Sequence, residues 1–203
     1  NNFEEWLEQI PLDCRPLVLT LIQNLQYYSH KTTNKWLLEL HRQLLEQPNI
    51  SDENTIYAFI KSKYGKTNSS NDYWTEYKYI NGINRNICIE NMDSLDDEDW
   101  QHIENIVFID DFSGSGKSFI DELKKNPARY KGKNVYFVVI NVMHKAIEQI
   151  GDYGKETDIN IIVLSAFQQG KAFERGLFED DVIAKTKRKF QKFIISSLSS
   201  VLK

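Results

Sequence analysis

The sequence predicts an α/β fold: a parallel sheet with helices on both faces, preceded by a small helical N-terminal region. Three observations predict it. Strand-length apolar runs at 105–110, 134–142 and 158–167 alternate with helical stretches at 118–125 and 144–150, the rhythm of a parallel sheet covered on both sides. Residues 3–48 instead place their apolar side chains at helical spacing. The composition, 41% hydrophobic and 27% charged over 203 residues, is that of a globular chain long enough to bury a sizeable core.

In chain order, Phe3, Trp6, Leu7 and Ile10 form one apolar helix face, and Pro11 and Pro16 punctuate before Leu17, Leu19, Leu21, Ile22 and Leu25. A third helix is expected with Asn34 as its cap, Trp36, Leu37, Leu40, Leu44 and Leu45 facing a core, and Pro48 beyond its end. This lead is compact enough for a helix-turn-helix or a packing layer. Residues 56–60 read as a strand, 61–71 as a polar loop, 72–81 as a helix and 86–90 as a second short strand. Residues 94–102 read as an acidic helix capped by Ser94 with Trp100 turned inward, and 181–203 as a last helix carrying Lys185, Lys187, Arg188, Lys189 and Lys192. The expected division is a helical region over 1–52 and an α/β domain over 53–203.

The charge balance excludes some functions. With 25 Lys and Arg against 29 Asp and Glu, the net charge of −4 gives no overall basic excess for a nucleic-acid backbone, so any such contact is local. Cys14 and Cys88 stand far apart and outside metal-ligand spacing, which suits a reducing compartment and a cytoplasmic location. The longest apolar runs fall well short of the roughly 20 residues a spanning helix needs, so no membrane segment is expected. Residues 1–5 show no basic region leading into an apolar run, so no secretory signal is expected either. His30, His41, His102 and His144 are scattered and suggest no metal centre.

One stretch carries chemistry: Ile106-Val107-Phe108-Ile109-Asp110-Asp111-Phe112-Ser113-Gly114-Ser115-Gly116-Lys117-Ser118. A buried strand runs into two acids at the end of a sheet where α/β proteins bind ligands, and carboxylates there suit hydroxyls or a hydrated cation. Gly114 and Gly116 permit a tight turn, so backbone N–H groups and the Ser113, Ser115 and Ser118 hydroxyls converge on an anion at a helix start. Diol-binding acids beside a phosphate cradle describe a sugar phosphate of the ribose 5-phosphate type. Gly116-Lys117-Ser118 ends like a Walker A loop, but the required first glycine falls at Asp111, so the spacing excludes that loop. A plain strand-to-helix turn has a similar outline without needing so many consecutive phosphate-compatible residues.

Residues 106–118 closely resemble the phosphoribosyl pyrophosphate motif of type I phosphoribosyltransferases: apolar strand, two adjacent acids, then a Thr/Ser/Gly loop. Lys117 and the bulky Phe112 depart from the pattern. The resemblance implies that Asp110 and Asp111 contact ribose hydroxyls and Mg²⁺ in the catalytic role, and that Ser113, Gly114, Ser115, Gly116, Lys117 and Ser118 bind the 5-phosphate. It also implies a pyrophosphate-gripping loop, matched here by Lys61, Lys63, Gly65 and Lys66. The helical lead before such a core is similar to the phosphoribosyltransferase-like effectors of bacterial conflict systems, including those encoded beside retron reverse transcriptases. Two readings follow. In one, the chain transfers a pentosyl phosphate to or from a base-like acceptor; in the other, it is a non-catalytic sugar-phosphate or nucleotide-binding partner of a nucleoprotein complex.

Overall fold

The computed structural model describes residues 2–61, 69–171, 188–193 and 195. The chain divides into two compact units, Asn1–Tyr27 with Gly170–Lys203, and Tyr28–Gln169. In the smaller unit, α1 (Phe3–Glu8) is capped by Asn2, whose side chain accepts the Glu4 N–H at 3.2 Å, and α2 (Arg15–Gln23) begins with Pro16 in its first turn. Ile10, Cys14 and Val18 pack together with Leu7 and Phe190, and Lys189 pairs with Asp13 at 2.7 Å. Residues 188–193 are helical, as expected of the C-terminal stretch. Lys185, Lys187 and the residues of that stretch beyond 195 lie outside the described residues.

The larger unit holds α3 (His30–Leu45), β1 (Thr55–Phe59), α4 (Ser69–Asn81), α5 (Asp97–His102), β2 (Asn105–Ser113), α6 (Lys117–Leu123), α7 (Pro127–Tyr130), β3 (Asn134–Met143), α8 (His144–Thr157) and β4 (Asn160–Gln169). The four strands form one sheet in the order β1-β2-β3-β4, every pair parallel. The α/β prediction therefore holds. Ile106, Phe108, Val135 and Phe137 pack on one face under Trp100, Phe119, Leu123 and Ile150; Val107, Ile109, Tyr136 and Val138 pack on the other under Leu37, Leu40, Trp74 and Tyr77. Burial on both faces is why these strands read as unbroken apolar runs rather than alternating ones. α3, which the sequence groups with the helical lead, lies with the sheet. Among the described residues no helix is long and apolar enough to cross a membrane.

Several local expectations change. α3 starts at His30 and is capped by Ser29, whose hydroxyl accepts the Thr32 N–H at 3.3 Å; Asn34 sits inside the helix and donates to Glu76 on α4 at 2.7 Å. The strand expected at 86–90 is a short 3₁₀ turn, Arg85–Ile87, followed by a single bridge from Cys88 to Tyr57. Asn84 supplies the reason, since its side chain accepts the Asn86 N–H at 3.1 Å and offers the backbone a turn in place of a ladder. α5 is capped by Asp96 rather than Ser94, in a reciprocal box with Asp99. α8 runs past Gly151 to Thr157, and Gly154 is required there: a Cβ on it would lie 3.0 Å from the Ile159 carbonyl where the chain turns into β4.

A chain of asparagines ties the strand starts together. Asn105 donates to the Asn49 carbonyl at 2.8 Å and to Asn54 Oδ1 at 3.2 Å; Asn134 donates to Asn105 Oδ1 at 2.9 Å, and Asn160 to Asn134 Oδ1 at 2.8 Å. Each amide occupies the same level of its strand, because Asn105, Asn134 and Asn160 are register partners. The ladder fixes the sheet's lower rim, opposite the end that carries the acids.

Candidate functional site

β2 is longer than the sequence suggests. It continues past the acids to Ser113, because β3 is long enough to supply ladder partners: Asp110 pairs with Val139, Phe112 with Asn141 and Ser113 with Val142. β1 stops earlier, at the Phe59–Ile109 pair. The acids thus sit inside a strand that has outrun its neighbour, and the two carboxyls stay close enough for Asp111 to act on Asp110.

Asp110 is 9% exposed, while Asp111 is half-buried. The Asp111 N–H donates to Asp110 Oδ1 at 2.9 Å, and neither carboxylate forms an ion pair among the described residues. Burial, reinforced by the neighbouring Asp111, pushes the Asp110 carboxyl up to about 8. Asp111 acts toward α4: the Tyr73 hydroxyl is raised first by burial and then by the Asp111 charge. A buried carboxyl without a cation holds its proton, and a metal ion or a set of donor hydroxyls is what releases it.

The turn after β2 comprises Gly114, Ser115 and Gly116, and leads straight into α6 at Lys117, one residue earlier than expected. Gly116 has φ +70°, and a Cβ there would stand 2.8 Å from Ile150 Cγ1 and 3.2 Å from the Ala146 carbonyl of α8. The position demands glycine twice over, by conformation and by close approach. Gly116→Ala is expected to destabilise the protein by about 2 kcal/mol, read as a lowered urea midpoint at unchanged slope. No side chain caps the start of α6, and the Ser113, Ser115 and Ser118 hydroxyls and the Lys117 ammonium make no hydrogen bond or ion pair among the described residues. Three hydroxyls at an uncapped strand-to-helix turn are a donor set for a phosphate. Phe112, 52% exposed, lays its ring beside Gly114, whose Cβ would lie 3.3 Å from the ring.

Asp110 through Ser118 are therefore contiguous at the carboxyl end of the sheet. Lys61, just past β1, is exposed and donates to Asn91 Oδ1 at 3.0 Å. Lys63, Gly65 and Lys66 lie outside the described residues. Two residues that sequence reasoning passes over join the site. Ser70, 2% exposed in the first turn of α4, donates to the Ile109 carbonyl at 2.8 Å and accepts the Ile60 N–H at 3.1 Å, tying the end of β1 to the strand bearing the acids. Asn141, opposite Phe112 on β3, has a buried Oδ1 with no hydrogen-bond partner among the described residues. Its signal in the sequence is a lone amide interrupting the apolar run of β3.

Among the described residues no group of three or more His, Cys, Asp or Glu side chains is arranged to hold a metal ion, and both cysteines are free thiols. His41 serves the core, its Nδ1 lying 2.8 Å from the Tyr77 hydroxyl. A search of curated proteins finds no match to this chain. The family comparison does: with twin acids, a Ser/Gly turn and a parallel sheet in place, the chain matches the PRTase-CE family model over residues 3–202 and belongs to that family of phosphoribosyltransferase-like proteins.

Proposed function

We propose that this protein binds phosphoribosyl pyrophosphate or a related ribose-phosphate nucleotide, with Asp110 and Asp111 on the ribose hydroxyls and the 113–118 turn on the 5-phosphate. The observation that carries the reading is a buried carboxyl with no cationic partner among the described residues, four residues along the strand from an uncapped turn rich in hydroxyls. Mg²⁺ suits this donor set: it takes one or two protein carboxylates and completes its shell with water and substrate phosphate, so a protein cluster of three ligands is not required. Asp110 and Asp111 would hold it, and its charge would neutralise a departing pyrophosphate. Transfer of a pentosyl group passes through an oxocarbenium-like sugar, so the chain's own contribution is to fix the phosphate end and place carboxylate charge near the ring. The helical lead and the resemblance to conflict-system effectors support a role as an effector in bacterial defence, with a retron as the associated element and the cytoplasm as its compartment.

Binding without turnover is a second reading, favoured by the Phe112 ring lying against Gly114 at the mouth of the turn. Calorimetry with phosphoribosyl pyrophosphate and Mg²⁺, followed by a pyrophosphate-release assay with candidate bases, separates the two. The wild type is expected to bind, and the Asp110→Asn plus Asp111→Asn variant to lose about tenfold or more in affinity. Unchanged binding by a folded double variant would refute the site. Binding with no pyrophosphate released from any base favours the second reading.

A further inference from the structure

The two edges of the sheet are finished differently. On the β1 side the chain covers its own edge: Cys88 bridges to Tyr57, and the Ile89 N–H donates to the Tyr57 carbonyl at 2.8 Å. On the β4 side no strand among the described residues lies beyond Asn160–Gln169. This open edge is ten residues long against five for β1, and it keeps one constant register with β3 from Asn160 to Gln169, with no bulge to bend it away. Its faces are covered, Ile161 and Val163 by the cluster that holds Ile150 of α8, and Ile162 and Leu164 by the cluster that holds Leu37 of α3. Yet every residue from Ile161 to Phe167 is only half-buried, whereas Val135 to Ile140 of β3 are buried, so the exposure lies along the flank. Unpaired edge strands are usually guarded by a lysine, a proline, a bulge or a very short length, and β4 carries no charge and no proline at any position.

The polar pattern along the strand says what this flank is built to receive. The amide ladder runs in one sense, each rung donating to the side-chain oxygen of the rung before it, and it ends at Asn160, whose Oδ1 accepts nothing among the described residues. At the far end of the strand stand two more amides, Gln168 and Gln169; between the ends lie Ile161, Ile162, Val163, Leu164, Ala166 and Phe167, with the small hydroxyl of Ser165 near the middle. The pattern reads alike in both directions. Laid antiparallel against its own copy, the strand brings Asn160 of each chain to the glutamine end of the other, sets apolar residues against apolar ones, and meets no charge. We propose that β4 pairs with β4 of a second copy of this chain across a two-fold axis, joining the two four-stranded sheets into one continuous sheet. Antiparallel pairing reverses one sheet relative to the other, so the two acid-bearing ends open on opposite rims, each with its β2 two strands from the seam.

Sedimentation of the full chain across a concentration series tests it, with circular dichroism to establish folding of each variant. The wild type is expected to dimerise with a dissociation constant on the order of 1 to 50 µM, as suits a small contact made mainly by one strand pair. Ser165→Lys and Ser165→Glu are each expected to weaken dimerisation about tenfold or more, because like charges then meet near the axis, and an equal mixture of the two is expected to restore it as a heterodimer. Hydrogen exchange supplies a readout without any substitution: the amides of Ile161 to Phe167 are expected to gain protection as the wild type passes from monomer to dimer. A wild type that stays monomeric at about 200 µM overturns the proposal and leaves the edge to a different partner. A dimer that both folded variants leave intact, a mixture of the two that stays monomeric, or a dimer whose β4 amides gain no protection places the contact elsewhere and overturns it as well.

Discussion

Asp110→Asn is expected to stabilise the ligand-free protein at neutral and alkaline pH and to leave it unchanged below about pH 4. The carboxyl releases its proton near 3.8 in an unfolded chain but near 8 when folded, because burial and then the Asp111 neighbour disfavour the charged form. Between those values the folded protein binds more protons than the unfolded one, so its stability falls as pH rises through the window and levels off above about pH 8. An amide at this position has no proton to lose, can accept the Asp111 N–H as the carboxyl does, and escapes the penalty. The advantage at pH 8 and above is on the order of 2 to 4 kcal/mol, or about 5 to 10 °C in melting temperature. Melting curves of the two proteins recorded by circular dichroism from pH 4 to 9 check it. Parallel curves across the window would mean that Asp110 ionises freely, and the case for a carboxyl awaiting a cation or a diol would be lost. A stabilising substitution at a residue proposed to contact substrate is the expected signature of a site that trades stability for binding.

The second large effect lies at the other end of the sheet. Asn105 is fully buried and reaches the Asn49 carbonyl, Asn54, Thr55 and Asn134 with one side chain. Asn105→Ala leaves the Asn134 amide without its acceptor and removes one of two donors from the Asn49 carbonyl, which keeps Asn54 Nδ2 at 2.9 Å, for a loss of about 2 kcal/mol. Asn160→Ala removes only the exposed outer rung, a single bond to Asn134 Oδ1, and is expected to cost less than about 1 kcal/mol. Urea midpoints at constant slope measure both. Equal losses at the two positions would mean that the amides act separately and not as a connected ladder.

The sheet was legible because its inner strands are buried on both faces, and a run such as Val135 to Ile140 cannot be mistaken for a surface segment. The acids and the Ser/Gly turn were equally open to reading, since their chemistry is contiguous in sequence. Features made by distant partners were not. Ser70 matters only because its hydroxyl meets Ile60 and Ile109, and no local pattern announces that meeting. Asn34 looked like a cap from its neighbours, while its actual partner, Glu76, is a tertiary one. The helical stretch expected over 144–150 runs on through Gly151 to Thr157, because a helix packed on a sheet tolerates a glycine that an isolated helix would not. The asparagine ladder did leave a trace, an Asn before the apolar run of each strand at positions 54, 105, 134 and 160, but its meaning depends on strand order, which spacing alone does not supply.

β2 outruns β1 by four residues, so beyond Ile109 its outer flank has no strand partner among the described residues. Part of what greets a ligand at that flank is therefore peptide bond rather than side chain. Peptide groups are common to all twenty amino acids, so relatives can exchange neighbouring side chains to change what they accept without losing this portion of the grip.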